Sequence, residues 1–433
     1  MTRHIQEHKN RVLYNLLLPL GIGFYYLYAI LFKKKRIDAL RLRLGRISKE
    51  QLTRLAGRKP IWIQAVSVGE VASVRPLIEL LHREIPQIPI ILTTTTNKGM
   101  EVASRFEIHN LLVVYFPLDF PWTMQRFIEQ TNPRLFLMVE TELWPNCIAQ
   151  LAQKKIHMGI INGRISDKSF PRYQTFRKVI QQFLAPVEFF LMQSDTDVYR
   201  LEQIGVPKEK IQVMGNLKFD AAGIASKESS LPLPTFLKKG PIWMAASTHD
   251  PEEKQLYTIY QQLKKSHPSL CWIVAPRHLE RADALENWFL QQGEKVVRWT
   301  RYRENACNGS VPILIIDTIG ELSRFYAIAD IVFIGGSLIS HGGQNPLEAA
   351  CFGKPILTGP YMFNFRDIMA YLLESGGIFQ AHNLVELEET VASLLQNPTE
   401  AKKMGENAHR VVDQHQGASR RVLEFLKNLL ADN

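Results

Sequence analysis

The chain has little cysteine, and it lacks the histidine and cysteine motifs that usually bind metal ions. None of its four cysteines forms a C-x-x-C pair, and none of its twelve histidines belongs to an H-E-x-x-H motif. The sequence therefore predicts neither a zinc site nor a disulfide scaffold. Low-complexity tracts are also missing, which excludes a disordered or fibrous protein. Isolated cysteines fit a reducing cytoplasm.

The body of the chain lacks the positive charge that nucleic-acid binding requires. The net charge of the whole chain is +10. Residues 1–46 contain ten Lys or Arg and two acids, so they account for +8 and leave +2 for all the remaining residues. Since the basicity belongs to the N-terminus, we predict no nucleic-acid partner.

One long apolar run occupies residues 12–32, and Asn15 is its only strongly polar member. A helix of this length spans roughly 30 Å, the thickness of a hydrocarbon core. A basic cluster follows at residues 33–36, which predicts that the rest of the chain stays on the cytoplasmic side. We therefore expect an N-terminal membrane-anchor helix. The alternative is a helix that lies in the interface, with Lys and Arg on anionic lipid.

Apolar strand-like runs alternate with helical patterns along the rest of the chain, in two series. Strands spaced by helices imply parallel sheets with right-handed crossovers. The sequence thus predicts two doubly wound, Rossmann-like α/β domains facing a cleft, at residues 47–220 and 241–433. A linker rich in Ser, Pro and Lys, residues 221–240, separates them. We place the final helical stretch, about residues 399–430, in the second domain.

A glycine-rich loop leaves a predicted strand of the second domain. Gly335, Gly336 and Ser337 follow the strand, and a second glycine pair precedes the segment Asn345-Pro346-Leu347-Glu348. Glycines there allow backbone N–H groups to approach a phosphate, and a helix N-terminus favours the anion. Asn345 and Glu348 are spaced i, i+3 on one helical face, where an amide and a carboxylate can hydrogen-bond a ribose. A plain turn with capping residues is the alternative interpretation.

Other strands of the second domain also end in polar residues. Arg277 follows one strand, and it is suited to bind a phosphate as a charged fork. A structural salt bridge is the alternative for this arginine. The segment Ile319-Gly320-Glu321 follows the next strand.

Charged residues close the strands of the first domain as well. Glu70 lies in a glycine turn and could act as a general base. The alternative is an acid in the first turn of a helix, where the helix dipole stabilises it. Glu140 and Glu142 follow another strand, where two acids are costly unless they are solvated, paired or functional. Arg164 could balance these acids. Lys218 could offset negative charge on a phosphate or carboxylate.

The segment Asp195-Thr196-Asp197 matches the D-x-D pattern of metal-dependent glycosyltransferases. The match is short, and aspartate at the start of a polar helix is an ordinary capping residue. We therefore predict no metal site here.

Taken in order, these motifs resemble those of the Kdo transferases of Gram-negative lipopolysaccharide synthesis. That family moves Kdo (3-deoxy-D-manno-octulosonic acid) from CMP-Kdo to a lipid A precursor. The resemblance extends from the apolar run to beyond residue 370. The motifs that carry it are Ala65-Val66-Ser67-Val68-Gly69-Glu70, Glu140-Thr141-Glu142-Leu143-Trp144-Pro145-Asn146, Asn162-Gly163-Arg164-Ile165-Ser166, Leu217-Lys218-Phe219-Asp220, Ser247-Thr248-His249, Pro276-Arg277-His278 and residues 335–348.

The resemblance implies a GT-B fold and an inverting, metal-independent transfer that needs no cofactor and releases CMP. It implies that Glu70 is the general base and that Glu140 and Lys218 stabilise charge. The implied partners are CMP-Kdo, the lipid A precursor (lipid IVA) and the bacterial inner membrane, with the catalytic domains on its cytoplasmic face. The implied donor contacts are Pro276, Arg277, Ile319, Gly320, Glu321, Gly335, Gly336, Ser337, Asn345, Pro346, Leu347 and Glu348.

Gln64 and Gln344 depart from the family pattern, since many relatives have His at these two positions. Two other functions use similar features. A nucleotide-sugar epimerase can have the same tandem fold, but it would not need the apolar and basic N-terminus. A membrane-tethered sugar-nucleotide-binding protein without activity would not need Glu70, Arg277 and Glu348 together.

Overall fold

The structure, a computed structural model, describes residues 11–12, 14–20, 41–225, 237, 240–305 and 311–431. They form two compact units, Met1–Ala221 with Gln416–Asn433, and Ala222–His415. Each unit contains a seven-stranded sheet whose strands are all parallel. The predicted pair of doubly wound α/β domains is confirmed.

The sheet of the first unit has the strand order β3-β2-β1-β4-β5-β6-β7. Its strands are β1 (Ile61–Gln64), β2 (Ile90–Thr94), β3 (Leu111–Tyr115), β4 (Leu135–Val139), β5 (His157–Gly163), β6 (Phe189–Met192) and β7 (Ile211–Val213). The helices are α1 (Lys49–Thr53), α2 (Val68–Glu84), α3 (Asn97–Ala103), α4 (Pro121–Thr131), α5 (Pro145–Gln153), α6 (Phe170–Thr175), α7 (Arg177–Leu184), α8 (Asp195–Ile204) and α9 (Leu217–Ala225).

The sheet of the second unit has the order β10-β11-β9-β8-β12-β13-β14. Its strands are β8 (Ile242–Thr248), β9 (Cys271–Pro276), β10 (Val296–Arg298), β11 (Ile313–Ile315), β12 (Ile331–Ile334), β13 (Ile356–Thr358) and β14 (Ile378–Gln380). The helices are α10 (Glu252–Ser266), α11 (Ala282–Gln291), α12 (Trp299–Asn305), α13 (Leu322–Ile328), α14 (Leu347–Cys351), α15 (Arg366–Glu374), α16 (Leu384–Gln396), α17 (Pro398–His415) and α18 (Ala418–Ala431); α18 packs on the first unit.

Successive residues of a strand point to opposite faces of its sheet, and both faces of the first sheet are buried. Trp62 and Phe136 pack into the apolar cluster on one face, while Ile63 and Leu137 pack into the cluster on the other. Because both faces of the sheet are buried, each of these strands is a continuous apolar run in the sequence. It also leaves the loops at the strand ends as the places where polar side chains can lie.

The strand order of each sheet reverses at one strand, which marks the expected ligand crevice of a doubly wound domain. In the first unit β1 lies between β2 and β4, and the loops after β1 and β4 carry Glu70 and Glu140. In the second unit β8 lies between β9 and β12, and the loop after β12 is the glycine-rich one. The topology thus brings each set of predicted residues to a switch point.

The final helix, α18, belongs to the first unit, whereas the sequence placed it in the second domain. Val422 and Leu426 are buried in the apolar cluster that also contains Leu77 of α2. The Asp220 carboxylate accepts the backbone N–H groups of Gly417 and Ser419, both at 2.6 Å. Helical periodicity reveals an apolar face but not the sheet that the face covers, and for this reason the sequence assignment failed.

Two other predictions concern segments that are mostly not described. The predicted linker, residues 221–240, is described at 221–225, 237 and 240, and α9 runs into its start. The predicted anchor, residues 12–32, lies largely outside the described residues. Within the described ranges, no helix has the length and apolar character needed to cross a membrane.

Truncating the buried face of α18 should weaken the first unit and spare the second. We expect Leu426→Ala to lower the free energy of unfolding by about 2–5 kcal/mol, because it leaves a cavity in the core. Hydrogen exchange should show lost protection in α2 with unchanged protection of the second sheet. Leu373→Ala, at a position 43% exposed on α15, is the control and should have little effect. Lost protection in the second sheet alone would contradict this assignment.

Candidate active site

Glu70 is held by a reciprocal cap at the start of α2. The Ser67 hydroxyl accepts the Glu70 N–H and donates to Glu70 Oε1 at 2.8 Å. The Val66 N–H donates to Glu70 Oε2 at 2.7 Å. The side chain is 7% exposed. The capping role that we considered for this acid is therefore present, and its catalytic role stays a prediction.

Glu140 and Lys218 form an ion pair at the end of β4. Lys218 Nζ lies 3.2 Å from Glu140 Oε1, and both side chains are about a quarter exposed or less. The backbone of Glu140 is left-handed, with φ of 59°, a conformation that non-glycine residues adopt mainly where the surroundings enforce it. The Glu140 N–H is held by the Ile161 carbonyl at 3.0 Å. A lysine that can offset negative charge thus lies beside a carboxylate at this switch point.

A third carboxylate, Glu142, completes the cluster. Burial, together with the charges of Glu70 and Glu140, raises the pKa of Glu142 from its ordinary 4.5 to about 7. Burial and the Glu140 charge also raise the pKa of Glu70, although its hydrogen bonds from Val66 and Ser67 oppose the rise. The sequence signal for Glu142 was its place two residues after Glu140, but we assigned it no role. Such a cluster can take up or release a proton near neutral pH.

Arg164 meets the loop after β4 through its backbone. The Thr141 hydroxyl donates to the Arg164 carbonyl at 2.6 Å and accepts the Arg164 N–H at 3.2 Å. Glu140 pairs with Lys218, a lysine 78 positions away in sequence. The hypothesis that Arg164 could balance the two acids stays a prediction.

The D-x-D segment begins α8, and its buried aspartate has a structural role. The helix cap is Ser194, whose hydroxyl donates to Asp197 Oδ2 at 2.7 Å. Asp197 Oδ1 accepts the Ile165 N–H at 2.8 Å. The cap is therefore Ser194 rather than an aspartate. In the part of the chain that the structure describes, no group of three or more His, Cys, Asp or Glu residues is placed to hold a metal ion.

The glycine-rich loop of the second unit surrounds a carboxylate of the protein itself. The backbone N–H groups of Gly336, Ser337 and Leu338 donate to Glu252 at 2.7, 3.0 and 3.0 Å. The His249 N–H donates to the same carboxylate at 2.8 Å. Glu252 is fully buried. These four bonds favour the ionised carboxylate and oppose the rise in the pKa of Glu252 that its burial causes.

This contact corrects the prediction that the N–H groups of Gly335, Gly336 and Ser337 bind a phosphate. The Gly335 N–H is also engaged, since it donates to the Ala246 carbonyl at 2.8 Å. A Cβ at Gly335 would lie 2.5 Å from Thr248 Cα, so glycine is required by the close approach of two loops. Glycine spacing predicted a close approach of the backbone, but not the group that approaches.

Asn345 lies outside α14, two residues before its first residue, whereas Glu348 lies in the first turn, so the predicted sharing of one helical face is wrong. The two side chains are nevertheless neighbours. The Asn345 amide donates a hydrogen bond to Glu348, and burial raises the pKa of that carboxyl. Arg277 lies near enough for its charge to oppose the rise. Arg277 is exposed, and it has no ion-pair partner among the described residues. The salt-bridge alternative is thus not found there, which leaves a cation beside the two predicted ribose ligands.

The segment Ile319-Gly320-Glu321 precedes α13. Its first two residues are exposed, whereas the Glu321 side chain forms hydrogen bonds within the protein. Glu321 accepts the Trp299 Nε1–H at 3.0 Å and an Arg324 N–H at 2.8 Å. Ile319 is 57% exposed, and Gly320 has a left-handed φ of 85°. The Glu321 carboxylate therefore supports the local fold, while Ile319 and Gly320 are exposed. Pro276 is the buried last residue of β9.

Three histidines meet beside the glycine-rich loop. His249 and His278 belong to motifs of the family resemblance, but the sequence analysis gave none of the three a role. The His249 ring centre lies 4.3 Å from that of His341 and 5.5 Å from that of His278. Burial and the neighbouring positive groups lower the pKa of His249 to about 4, so it is neutral at pH 7. Gln344 lies 3.1 Å from its ring nitrogen. Gln64, the other departure from the family, is fully buried in the first sheet.

Two parallel Rossmann-like sheets with polar switch-point loops define a GT-B-like fold. A crystal structure of UDP-N-acetylglucosamine 2-epimerase shares it, with a TM-score of 0.60 at 14% identity, covering 87% of this chain and 97% of that one. A sucrose-phosphate synthase from Thermosynechococcus elongatus shares it with a TM-score of 0.50 at 14% identity, covering 87% of this chain and 100% of that one.

Sequence comparison identifies the family within this fold. Residues 38–221 match the model of the 3-deoxy-D-manno-octulosonic-acid transferases, and residues 282–411 match that of glycosyl transferases group 1. The 3-deoxy-D-manno-octulosonic acid transferase of Haemophilus influenzae is 34% identical over 378 residues, 86% of this chain and 88% of the relative. That of Bordetella pertussis is 30% identical over 404 residues, 90% and 91%. The chain belongs to the Kdo transferase family and is a glycosyltransferase.

Because the pKa of Glu142 is raised, the effect of its substitution on the stability of the protein should depend on pH. A carboxyl whose pKa is higher in the folded state stabilises the fold below its ordinary pKa of 4.5, and it loses that effect as pH rises through about 7. Because glutamine cannot ionise, Glu142→Gln should raise the melting temperature relative to the unsubstituted protein more at pH 8 than at pH 5. Glu209→Gln, at an exposed site on the same unit, is the control. An equal shift at both pH values would refute a raised pKa.

Proposed function

We propose that this chain transfers Kdo from CMP-Kdo to a lipid A precursor, lipid IVA, in lipopolysaccharide inner-core synthesis. The transfer inverts the anomeric configuration, needs no metal and releases CMP. The observation that carries the proposal is the cluster of Glu70, Glu140 and Lys218 at the switch point of the first unit, in a chain of the Kdo transferase family.

In this proposal Glu70 is the general base. A sugar hydroxyl is a poor nucleophile until its proton is removed. Glu70 takes that proton while the hydroxyl oxygen bonds to the anomeric carbon of Kdo and the bond from that carbon to the CMP phosphate breaks. The raised pKa of Glu70 supports the role, because a base with a pKa nearer to neutral holds the proton more effectively.

Lys218 and Glu140 stabilise charge near the reacting centre. Kdo is itself a carboxylate, so a cation near the first switch point complements the donor sugar. The ion pair at 3.2 Å orients the Lys218 ammonium group, and Glu140 in turn raises the pKa of Glu70. Electrostatic groups that are oriented in advance lower a barrier without reorganising during the reaction.

CMP binds through the second unit in this proposal. Arg277 contacts the phosphate, Asn345 and Glu348 contact the ribose, and the exposed residues Ile319 and Gly320 contact the nucleoside. The support is that Arg277 is an exposed cation beside the Asn345 and Glu348 pair. Pro276, Glu321, Pro346 and Leu347 shape these loops, as do Gly335, Gly336 and Ser337 around Glu252.

The enzyme acts at the cytoplasmic face of the bacterial inner membrane in this proposal. The apolar run and the basic cluster of the N-terminus support the membrane location. The fold that this chain shares with a UDP-N-acetylglucosamine 2-epimerase is the support for an epimerase reaction. A fold of this kind hosts several chemistries, however. We therefore prefer transfer, the activity in the names of the relatives that are 30–34% identical.

Arg277→Ala should weaken CMP binding, because it removes a charge-assisted hydrogen bond to the phosphate. Such bonds contribute on the order of 1.5–3 kcal/mol, so we expect an affinity loss of roughly 10- to 100-fold by calorimetry. Arg410→Ala, at an exposed position of α17 on the same unit, should bind CMP normally. Unchanged CMP binding by the Arg277→Ala variant would remove Arg277 from the donor site.

Glu70→Gln should nearly abolish transfer while sparing the fold and CMP binding. Removing a general base typically costs about 10²- to 10⁴-fold in rate. The amide can still accept the Val66 N–H, and the Ser67 hydroxyl can reverse its direction, so the cap should persist. Glu79→Gln, on the same helix, is the matched control. Turnover of purified protein with CMP-Kdo and lipid IVA provides the measurement. A near-normal rate, with Glu140→Gln inactive, would move the base to Glu140.

A further inference from the structure

The N-terminal helix is attached to the first unit by its polar side chains. Residues 14–20 are helical. The Tyr14 hydroxyl donates to Asp119 Oδ2 at 2.9 Å, and the Asn146 amide donates to Asn15 Oδ1 at 2.6 Å and to the Asp119 carbonyl at 2.5 Å. Asp119 and Asn146 are buried. The start of the apolar run therefore contacts the folded domain directly.

The chain returns to the same place after the apolar run. Arg43 Nε donates to the Phe116 carbonyl at 3.0 Å, and the Leu118 N–H donates to the Arg43 carbonyl at 2.8 Å. Four consecutive residues, 116–119, thus hold both Arg43 and Tyr14. A Cβ at Gly45 would lie 2.3 Å from the Thr123 carbonyl oxygen, so the returning segment is also packed closely on α4.

Both ends of the run are held at one place on the first unit. Tyr14 bonds to Asp119, and Arg43 bonds to Phe116 and Leu118, so both contact the same four consecutive residues. A folded polar domain cannot lie on two sides of a bilayer, and both ends therefore lie on the same side.

The opposite face of the N-terminal helix is apolar and open. Leu16, Leu17 and Leu20 are 65%, 55% and 70% exposed, whereas Tyr14 and Asn15 face the protein. A helix on a water-soluble protein shows the reverse pattern, with its apolar residues inward. The outward-facing leucines are suited to the apolar interior of a membrane. The basic residues Arg41 and Arg46, which follow the apolar run in sequence, are also exposed and can contact anionic lipid.

We propose that the face of Leu16, Leu17 and Leu20 inserts into one leaflet of the membrane, with Tyr14, Asn15 and Arg43 all on the cytoplasmic side. This inference rests on the membrane location in the proposed function and specifies how that location is reached. A single crossing would place Asn15 and Arg43 on opposite sides, which the shared contacts at residues 116–119 do not allow.

The sidedness of the N-terminus tests the proposal. Thr2→Cys and Glu50→Cys are introduced separately into full-length protein that carries Cys307→Ser; the other cysteines are buried. Membrane vesicles are treated with a membrane-impermeant maleimide. We expect both cysteines to react in inside-out vesicles and neither in right-side-out vesicles. Reaction of Thr2→Cys from the side opposite to Glu50→Cys would overturn the proposal in favour of a single crossing.

The insertion face is tested by flotation with vesicles that contain anionic lipid. Leu16→Glu with Leu20→Glu should lower the membrane-bound fraction by about 10-fold or more, because charge replaces two exposed leucines that the proposal places in the leaflet. Gln87→Glu with Gln153→Glu adds the same charge at exposed positions of the first unit and should not change it. Equal binding by both variants would overturn the insertion face.

The outcomes distinguish this inference from the proposed transfer. A full-length protein that does not float with any vesicle would overturn both the insertion face and the membrane location. Kdo transfer to detergent-dispersed acceptor would still be measurable on that protein. Normal flotation with no transfer would instead overturn the proposed function and leave the sidedness result standing.

Discussion

Backbone N–H groups that donate to carboxylates hold loops of both units in place. Glu252, which is buried, accepts four such groups, and Asp220, which is half-buried, accepts two at the start of α18. A buried charge is costly unless hydrogen bonds compensate it, so Glu252 fixes the glycine-rich loop that supplies its donors. Removing Glu252 would leave several backbone N–H groups of this loop without a partner.

Glu70 follows the same rule with fewer bonds. Val66 and Ser67 donate hydrogen bonds to its carboxylate, and Glu140 and Glu142 lie nearby. Glu252 is surrounded by donors, whereas Glu70 faces other acids. The difference separates a carboxylate that supports a loop from one that can exchange a proton, and it makes the first switch point the part of the fold suited to acid–base chemistry.

The sequence predicted the architecture and the charged residues at the first switch point because both follow from local patterns. Apolar runs interrupted by helical periodicity predict parallel sheets, and polar residues directly after a strand fall at its carboxyl end. The filling of the glycine-rich loop by Glu252 was not predictable, because that contact joins residues 84 or more positions apart. The same reason explains the place of α18, whose periodicity fits either sheet, and the pairing of Lys218 with Glu140 across 78 positions. Long-range pairing decides such contacts, and one sequence does not display it.

Incubation of the purified protein with CMP-Kdo and lipid IVA, followed by mass spectrometry of the lipid, tests the central claim most directly. The account predicts that the lipid gains the mass of at least one Kdo residue and that one CMP is released for each Kdo added. It also predicts that no CMP is released when the lipid is omitted. A lipid of unchanged mass, with CMP released at the same rate in its absence, would contradict the assignment of this site to Kdo transfer.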